Sequence, residues 1–293
     1  MQIANPIYDV VFKYLLKDNK IAKLLLSSII GEEIITLEFS PEESAVPIEN
    51  RSMTVFRIDF AATIKTEEGF KKVLLEIQKA KFATDIMRFR KYLGEHYSNK
   101  ENCYEVREDK VSYQKPLPIL AIYFLGYKLD HLENPIIQVK RKYYDAITKE
   151  VLKVKEEFIE SLTHDSFIIQ IPYLKKKFKS DLESLLSVFD QSKATNDLHI
   201  LNINENTYPE KYRLIIRRLQ QAIAEPKVRK TMEIEDEVLE ELQSLERLIE
   251  NKDRALEEKD KIIEESRKII EENNKALKEK EKIIEALKEK PKK

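Results

Sequence analysis

One pattern limits this chain more than any other: an apolar pair that returns every seven residues. Leu248-Ile249, Ala255-Leu256, Ile262-Ile263, Ile269-Ile270, Ala276-Leu277 and Ile283-Ile284 keep a single phase between Glu246 and Leu287. Six heptads in register require one long helix, and a strict period of seven favours a left-handed supercoil over a lone helix. The seam is narrow, because the position three after the first five pairs holds Lys252, Lys259, Ser266, Asn273 and Lys280. Two readings stand: a homodimer through a coiled coil, or a solvated single helix steadied by Glu–Lys pairs. Composition shifts at Pro226, beyond which no aromatic residue occurs.

The residues before that point must therefore build the core. Thirteen Tyr and twelve Phe lie there, which excludes wholesale disorder. Four glycines in 293 residues argue against a glycine-rich phosphate-binding fold and for helix-heavy architecture. A lone Cys103 excludes a disulfide scaffold, and four scattered histidines offer no zinc cluster. From Thr231 onward there are 15 Lys/Arg and 20 Asp/Glu, a net of −5, so the remaining 37 basic and 33 acidic residues give 1–230 a net of +4. That balance permits nucleic-acid binding without demanding it. The longest apolar run, Ile119 to Leu125, is far short of the roughly 20 residues that span a bilayer. The start, Met1-Gln-Ile-Ala-Asn-Pro, lacks the charged and apolar regions of a secretory signal. No membrane association is expected, and the expected compartment is the cytoplasm.

Periodicity supplies the order of elements. Val11, Tyr14, Leu15, Ala22, Leu25, Leu26 and Ile29 recur at helical spacing, with a break near Asn19-Lys20 and an end at Gly31. Glu32 to Phe39 alternates weakly, as a short strand does. Residues 53–64 and 70–79 are rich in β-formers, and the polar stretch from Lys65 to Gly69 between them fits a hairpin turn. A helix follows from about Thr84, and Pro116 to Gly126 reads as a buried strand. Short strands are expected at Ile136–Val139 and Phe167–Ile171, and mostly helix over 174–225. The expected domains are a core over 1–175, a helical extension over 176–230 and the heptad helix over 231–293.

The central hairpin holds the chemistry-bearing residues. Asp59 lies on its first strand and Glu76-Ile77-Gln78 on its second, so Glu76 and Gln78 share a face while Ile77 points to the core. Pairing across the turn can set Asp59 beside them. Two carboxylates with the Ile77 carbonyl make an all-oxygen site suited to magnesium, and a metal there activates water and stabilises phosphate charge. By spacing alone, an acidic pair on a hairpin is also an ordinary solvated face.

Four ordered blocks sharpen this reading: Asn5-Pro-Ile-Tyr-Asp-Val-Val-Phe-Lys, Phe56-Arg-Ile-Asp-Phe, Leu75-Glu-Ile-Gln-Lys and Arg88-Phe-Arg-Lys-Tyr-Leu. Together they resemble the PD-(D/E)XK nuclease family transposases, relatives of the recombination-promoting nucleases, over residues 4 to at least 175. The resemblance implies an α/β, restriction-endonuclease-like core: a mixed central sheet flanked by helices, cutting DNA with Mg²⁺, or with Mn²⁺ in its place. It implies that Asp59 and Glu76 are the metal-binding acids and that Asp9 completes the metal shell, where the plainer reading of Asp9 is a carboxylate near a helix N-terminus. Gln78 falls where the wider superfamily has lysine. A glutamine orients water but carries no charge and shuttles no proton.

Arg88 and Tyr92, four apart on one helix face, are expected at DNA together with Lys79 and Lys81. Lys79 follows Gln78 directly and faces the other way unless a bulge re-aims it. Lys175–Lys177 and Arg217-Arg218 read as solvated basic faces, and His96 as structural. The sequence leaves three classes of function open: a magnesium-dependent DNA endonuclease, a catalytically weak DNA- or partner-binding protein of the same fold that dimerises through its tail, and a coiled-coil adaptor with an incidental head.

Overall fold

The computed structural model describes residues 1–40, 45–48, 51–54, 57–66, 69–80, 86–108, 111–174 and 180–288. In chain order the elements are β1 (Gln2–Ala4), α1 (Asp9–Leu16), α2 (Asn19–Ile30), β2 (Glu33–Ser40), β3 (Ala45–Ile48), β4 (Arg51–Thr54), β5 (Arg57–Thr66) and β6 (Gly69–Ala80). Then come α3 (Ile86–Ser98), β7 (Cys103–Glu108), β8 (Val111–Pro116), β9 (Ile119–Leu125), β10 (Ile136–Val139), β11 (Tyr143–Tyr144), β12 (Val151–Leu152), α4 (Glu157–Leu162) and β13 (Asp165–Gln170). The chain continues with α5 (Asp181–Leu186), β14 (Ile200–Asn202), α6 (Arg213–Ile223) and α7 (Pro226–Lys288). The protein is thus α/β, with a mixed six-stranded sheet in the order β10-β13-β9-β6-β5-β2. Strands β6, β9 and β13 run parallel, and the outer pairings are antiparallel.

Local chemistry sets the boundaries. The Asp18 carboxylate accepts from the Lys20 and Ile21 N–H groups at 3.0 and 3.3 Å, satisfying donors that the first turn of α2 leaves over. Gly31 ends α2 at φ 80, a left-handed conformation that a side chain disfavours. Ser180 caps α5 in the same way, accepting from Glu183 N–H at 3.1 Å.

One face of the sheet carries Phe60, Ala62, Ile64, Leu75, Ile77, Ile122, Phe124, Phe167 and Ile169, all buried in the main core. Helices α1, α2 and α6 contribute to the same core, and Phe12, Phe124 and Phe189 stack edge to face or tilted with centroids 5.1–5.7 Å apart. Of the expected extension, residues 180–230 do not stand apart: Leu185, Phe189, Leu201, Tyr212, Ile215 and Leu219 belong to this same core. Strand β14 pairs with β1, and Asn5 donates to Gln191 and to the Leu198 carbonyl, each at 2.8 Å. The chain divides into two units, Met1–Glu235 and Asp236–Lys293. In the second, the described heptad residues are well exposed, Ile262 at 62% and Ile270 at 59%. No helix among the described residues is long and apolar enough to cross a membrane.

At the β10 edge an ion network ties the end of that strand to α4 and β13. The Arg141 guanidinium donates to Asp165 at 2.8 Å and to Glu160 at 3.0 Å, and its remaining nitrogen donates to the Thr163 carbonyl at 2.8 Å. Glu160 also accepts from the Tyr143 hydroxyl at 2.5 Å and pairs with Lys71 at 3.4 Å. Burial alone opposes ionisation of both acids. The Tyr143 hydroxyl and the charges of Arg141, Lys155 and Lys71 outweigh it at Glu160, and the hydrogen bonds and charge of Arg141 outweigh it at Asp165, so both carboxyls sit below their usual range. Depressed carboxyls stabilise the fold above their unfolded values, about pH 4, and that contribution is lost as pH falls through the lowered folded values. Acid titration of unfolding should therefore show a fall in stability below about pH 4 that Glu160→Gln flattens. An unchanged acid limb in the variant would remove the network from the account.

Candidate active site

Strand register builds the site from the backbone outward. Asp59 on β5 stands directly opposite Glu76 on β6, and Arg57 stands opposite Gln78. Directly opposed residues in an antiparallel ladder share a face, with Cβ atoms about 5 Å apart. That face is the one opposite Ile77, whose side chain is fully buried in the main core. Continuing across the sheet, Glu76 is in register with Ala121 and then Ser166, and Gln78 with Tyr123 and then Ile168. On the other side Asp59 pairs with Ser40 of β2. The acids thus lie in a row flanked by small residues, with Arg57, Gln78 and Tyr123 in the next row.

Helix α3 closes one side of this face. Phe89 packs on Tyr123 with centroids 5.1 Å apart and joins Leu125 in a second apolar cluster. The β2–β5 side of the face is open: Thr36, Glu38 and Lys65 are exposed, and the Thr36 and Thr63 hydroxyls bond across the ladder at 2.9 Å. The pair therefore borders a surface that a polymer can reach. A cleft of about 460 Å³ at the carboxyl ends of β9 and β13, lined by Gly126, Pro172 and Asp190, contains none of the expected site residues.

The remaining expectations fall unevenly. Tyr92, expected at DNA, is 1% exposed. It lies with Phe89 and His96 along the buried stripe of α3. Lys79 is in register with Phe124, and the ladder has no shift there, so it stands on the core-side face with Ile77. Asp9 opens α1, which packs through Phe12 on Phe124, on the face opposite the pair. Its N–H and that of Val10 donate to Glu235 at 2.8 and 2.9 Å, so a carboxylate already caps this helix. Arg218 stacks on the Tyr14 ring at 3.8 Å, and Arg217 pairs with Glu205. Lys81 and Lys175–Lys177 lie outside the described residues, as do the side chains of Arg57, Asp59, Glu76, Gln78, Lys79 and Arg88. Sequence reasoning missed Arg57 and Tyr123; strand pairing is the signal that finds them, since each flanks Gln78 only once register is known.

Among the described residues no group of three His, Cys, Asp or Glu is placed to hold a metal. The fit of magnesium rests instead on the register of Asp59 with Glu76, two oxygen donors on adjacent strands, as a hard cation requires. The Ile77 carbonyl lies within the ladder between β5 and β9, which leaves it a second lone pair to offer. No family model, no curated protein and no solved structure matches this chain.

Proposed function

We propose that this protein is a cytoplasmic, magnesium-dependent DNA endonuclease of the PD-(D/E)XK transposase type, hydrolysing phosphodiester bonds. The observation that carries this reading is the direct opposition of Asp59 and Glu76 on the half-open sheet face, with Gln78 on that face one row on. The six-stranded mixed sheet with helices packed on it supports a restriction-endonuclease-like core. Asp59 and Glu76 hold the metal, Mg²⁺ or Mn²⁺, with the Ile77 carbonyl as a further oxygen. When bound, the metal supplies charge stabilisation at the phosphate and a more acidic water.

The chain's own residues do the rest. Gln78 orients the attacking water through its amide, accepting from it or donating to it. It brings no charge, and Arg57, directly opposite, supplies the cation that lysine provides elsewhere. Lys81 and Arg88 engage phosphates and set the position of the duplex without reading its sequence. Gln78→Ala should lower cutting roughly 10²-fold with affinity nearly unchanged, and Arg57→Ala should do likewise while Arg57→Lys retains most of the rate. Single-turnover cleavage beside an affinity titration checks both; full activity in Gln78→Ala removes it from the mechanism.

A second reading is a catalytically weak DNA- or partner-binding protein of the same fold, favoured by the glutamine in the lysine position. Either way, the tail is proposed to join two copies. Its apolar pairs repeat every seven residues and are exposed on a lone chain, as a coiled-coil seam requires. Light scattering should give a dimer for the full chain and a monomer after removal of residues 236–293. A full chain that stays monomeric at high concentration makes the tail a solvated helix.

A further inference from the structure

Between β10 and α4 the chain leaves the sheet and returns as a narrow hairpin, β11 paired with β12. Its tip is built, not loose. The Asp145 carboxylate accepts from Ile147 N–H at 2.7 Å and Thr148 N–H at 3.1 Å, Lys149 N–H donates to the Asp145 carbonyl at 2.9 Å, and Asp145 N–H donates to the Glu150 carbonyl at 2.9 Å. Lys149 closes the turn at φ 62, a conformation a lysine adopts at some cost. What this turn presents is an isoleucine, Ile147, 91% exposed. Single apolar residues on a surface are common. One held out at the apex of a hydrogen-bonded turn, on a braced stem, is a different matter.

The stem is braced at its base, where Arg141 and Tyr143 are locked into the network with Glu160 and Asp165. Its flanks are basic. Residues 140–155 hold six cations (Lys140, Arg141, Lys142, Lys149, Lys153, Lys155) against Asp145 and Glu150, and 6 − 2 gives +4. All five lysines are exposed. The stem also begins in the row of the acidic pair: Glu76 is in register with Ala121, Ala121 with Ser166, and Ser166 with Val139, the residue before Lys140. Three strand spacings put that root roughly 14 Å from Glu76, and six extended residues carry the tip roughly 20 Å beyond Arg141. One duplex lying on the pair is within that reach.

We propose that the 140–155 hairpin is a DNA-gripping arm, its lysines on phosphates and Ile147 pressed into a groove of the same duplex that the acidic pair cuts. A two-stranded ribbon fits a DNA groove, and an apolar residue at the tip of such an element can wedge against base steps. Net positive charge on the arm selects a polyanion over a neutral apolar partner. The proposal rests on the nuclease reading for its ligand, and the experiment keeps the two apart.

The full chain and a triple variant, Lys142→Ser, Ile147→Ser and Lys149→Gly, are titrated with a fluorescent 30-base-pair duplex across a salt series in calcium, then assayed for cutting in magnesium. The substituted residues are exposed, and glycine suits the turn at position 149, so the variant is expected to fold. The arm predicts an affinity loss of about tenfold and a log–log salt slope shallower by about 2, with cutting at saturating DNA unchanged. A wild type that binds through the arm yet never cuts leaves the arm standing and removes the nuclease. A wild type that binds and cuts, with a variant of equal affinity and slope, overturns the arm and leaves the nuclease. A variant altered in oligomeric state but not in DNA binding makes the hairpin a protein contact and overturns it too, as does a wild type with no affinity for DNA.

Discussion

Asp59→Ala should bind DNA as well as the wild type and fail to cut it. Asp59 stands opposite Glu76 on the neighbouring strand, so its loss would leave the metal one carboxylate in place of two and remove half of the anionic charge that holds it. The loss falls on charge stabilisation in the transition state, and removing such a term costs roughly 10²–10³-fold or more in rate. Affinity should hold, because the proposed phosphate contacts lie on other residues and a carboxylate next to a polyanion adds repulsion. Single-turnover cleavage of a labelled duplex in magnesium, beside an affinity titration in calcium, separates the two effects. An equal fall in both would mean that Asp59 supports the fold, and a strand-centre substitution that unfolds the protein is detected by its circular dichroism. Asp59→Asn, nearly isosteric, provides the second variant and should lose activity to the same degree.

Phe124→Ala should bring the largest loss of stability, about 3–5 kcal/mol. Phe124 is fully buried near the carboxyl end of β9, and its ring contacts both Phe12 of α1 and Phe189 from beyond α5. Truncation therefore opens a cavity where three distant parts of the chain meet, and none of the three can collapse into it without moving a backbone element. All thirteen tyrosines precede Pro226, so tyrosine fluorescence in a urea titration reports unfolding of residues 1–235 free of the tail. Phe124→Leu keeps most of the volume and should cost less than half as much. A loss below about 1 kcal/mol for alanine would mean that the aromatic triangle does not hold the sheet to its helices.

How much of the fold is legible in the sequence depends on the range of the interactions. The β5–β6 hairpin is legible because alternation and a polar turn are local signals, and α2 because Gly31 marks its end within the sequence itself. Strands β7 and β8 are not, since charged and polar residues dilute their apolar ones over only six positions each. The two-residue strands β11 and β12 are too short to show any period. Residues 176–230 read as an extension because nothing local says that Leu185, Phe189 and Ile215 share a core with strands of a sheet built earlier in the chain. At the site, a period of two places Glu76 and Gln78 together on one face, but the identity of Gln78's neighbours, Arg57 and Tyr123, needs two strand registers. Tyr92 shows the matching limit in a helix: spacing gives its period without saying that its own side chain turns inward.

The central claim is that the Asp59–Glu76 pair makes this chain a metal-dependent nuclease, and a supercoiled plasmid tests it most directly. Purified full-length protein in magnesium should convert the plasmid to open-circular and then linear forms. The conversion should stop when the metal is chelated, resume with manganese, and be absent in Asp59→Ala prepared in the same way. A plasmid that stays supercoiled with magnesium and manganese at high protein concentration, or one that Asp59→Ala converts as fast as the wild type, would contradict the account.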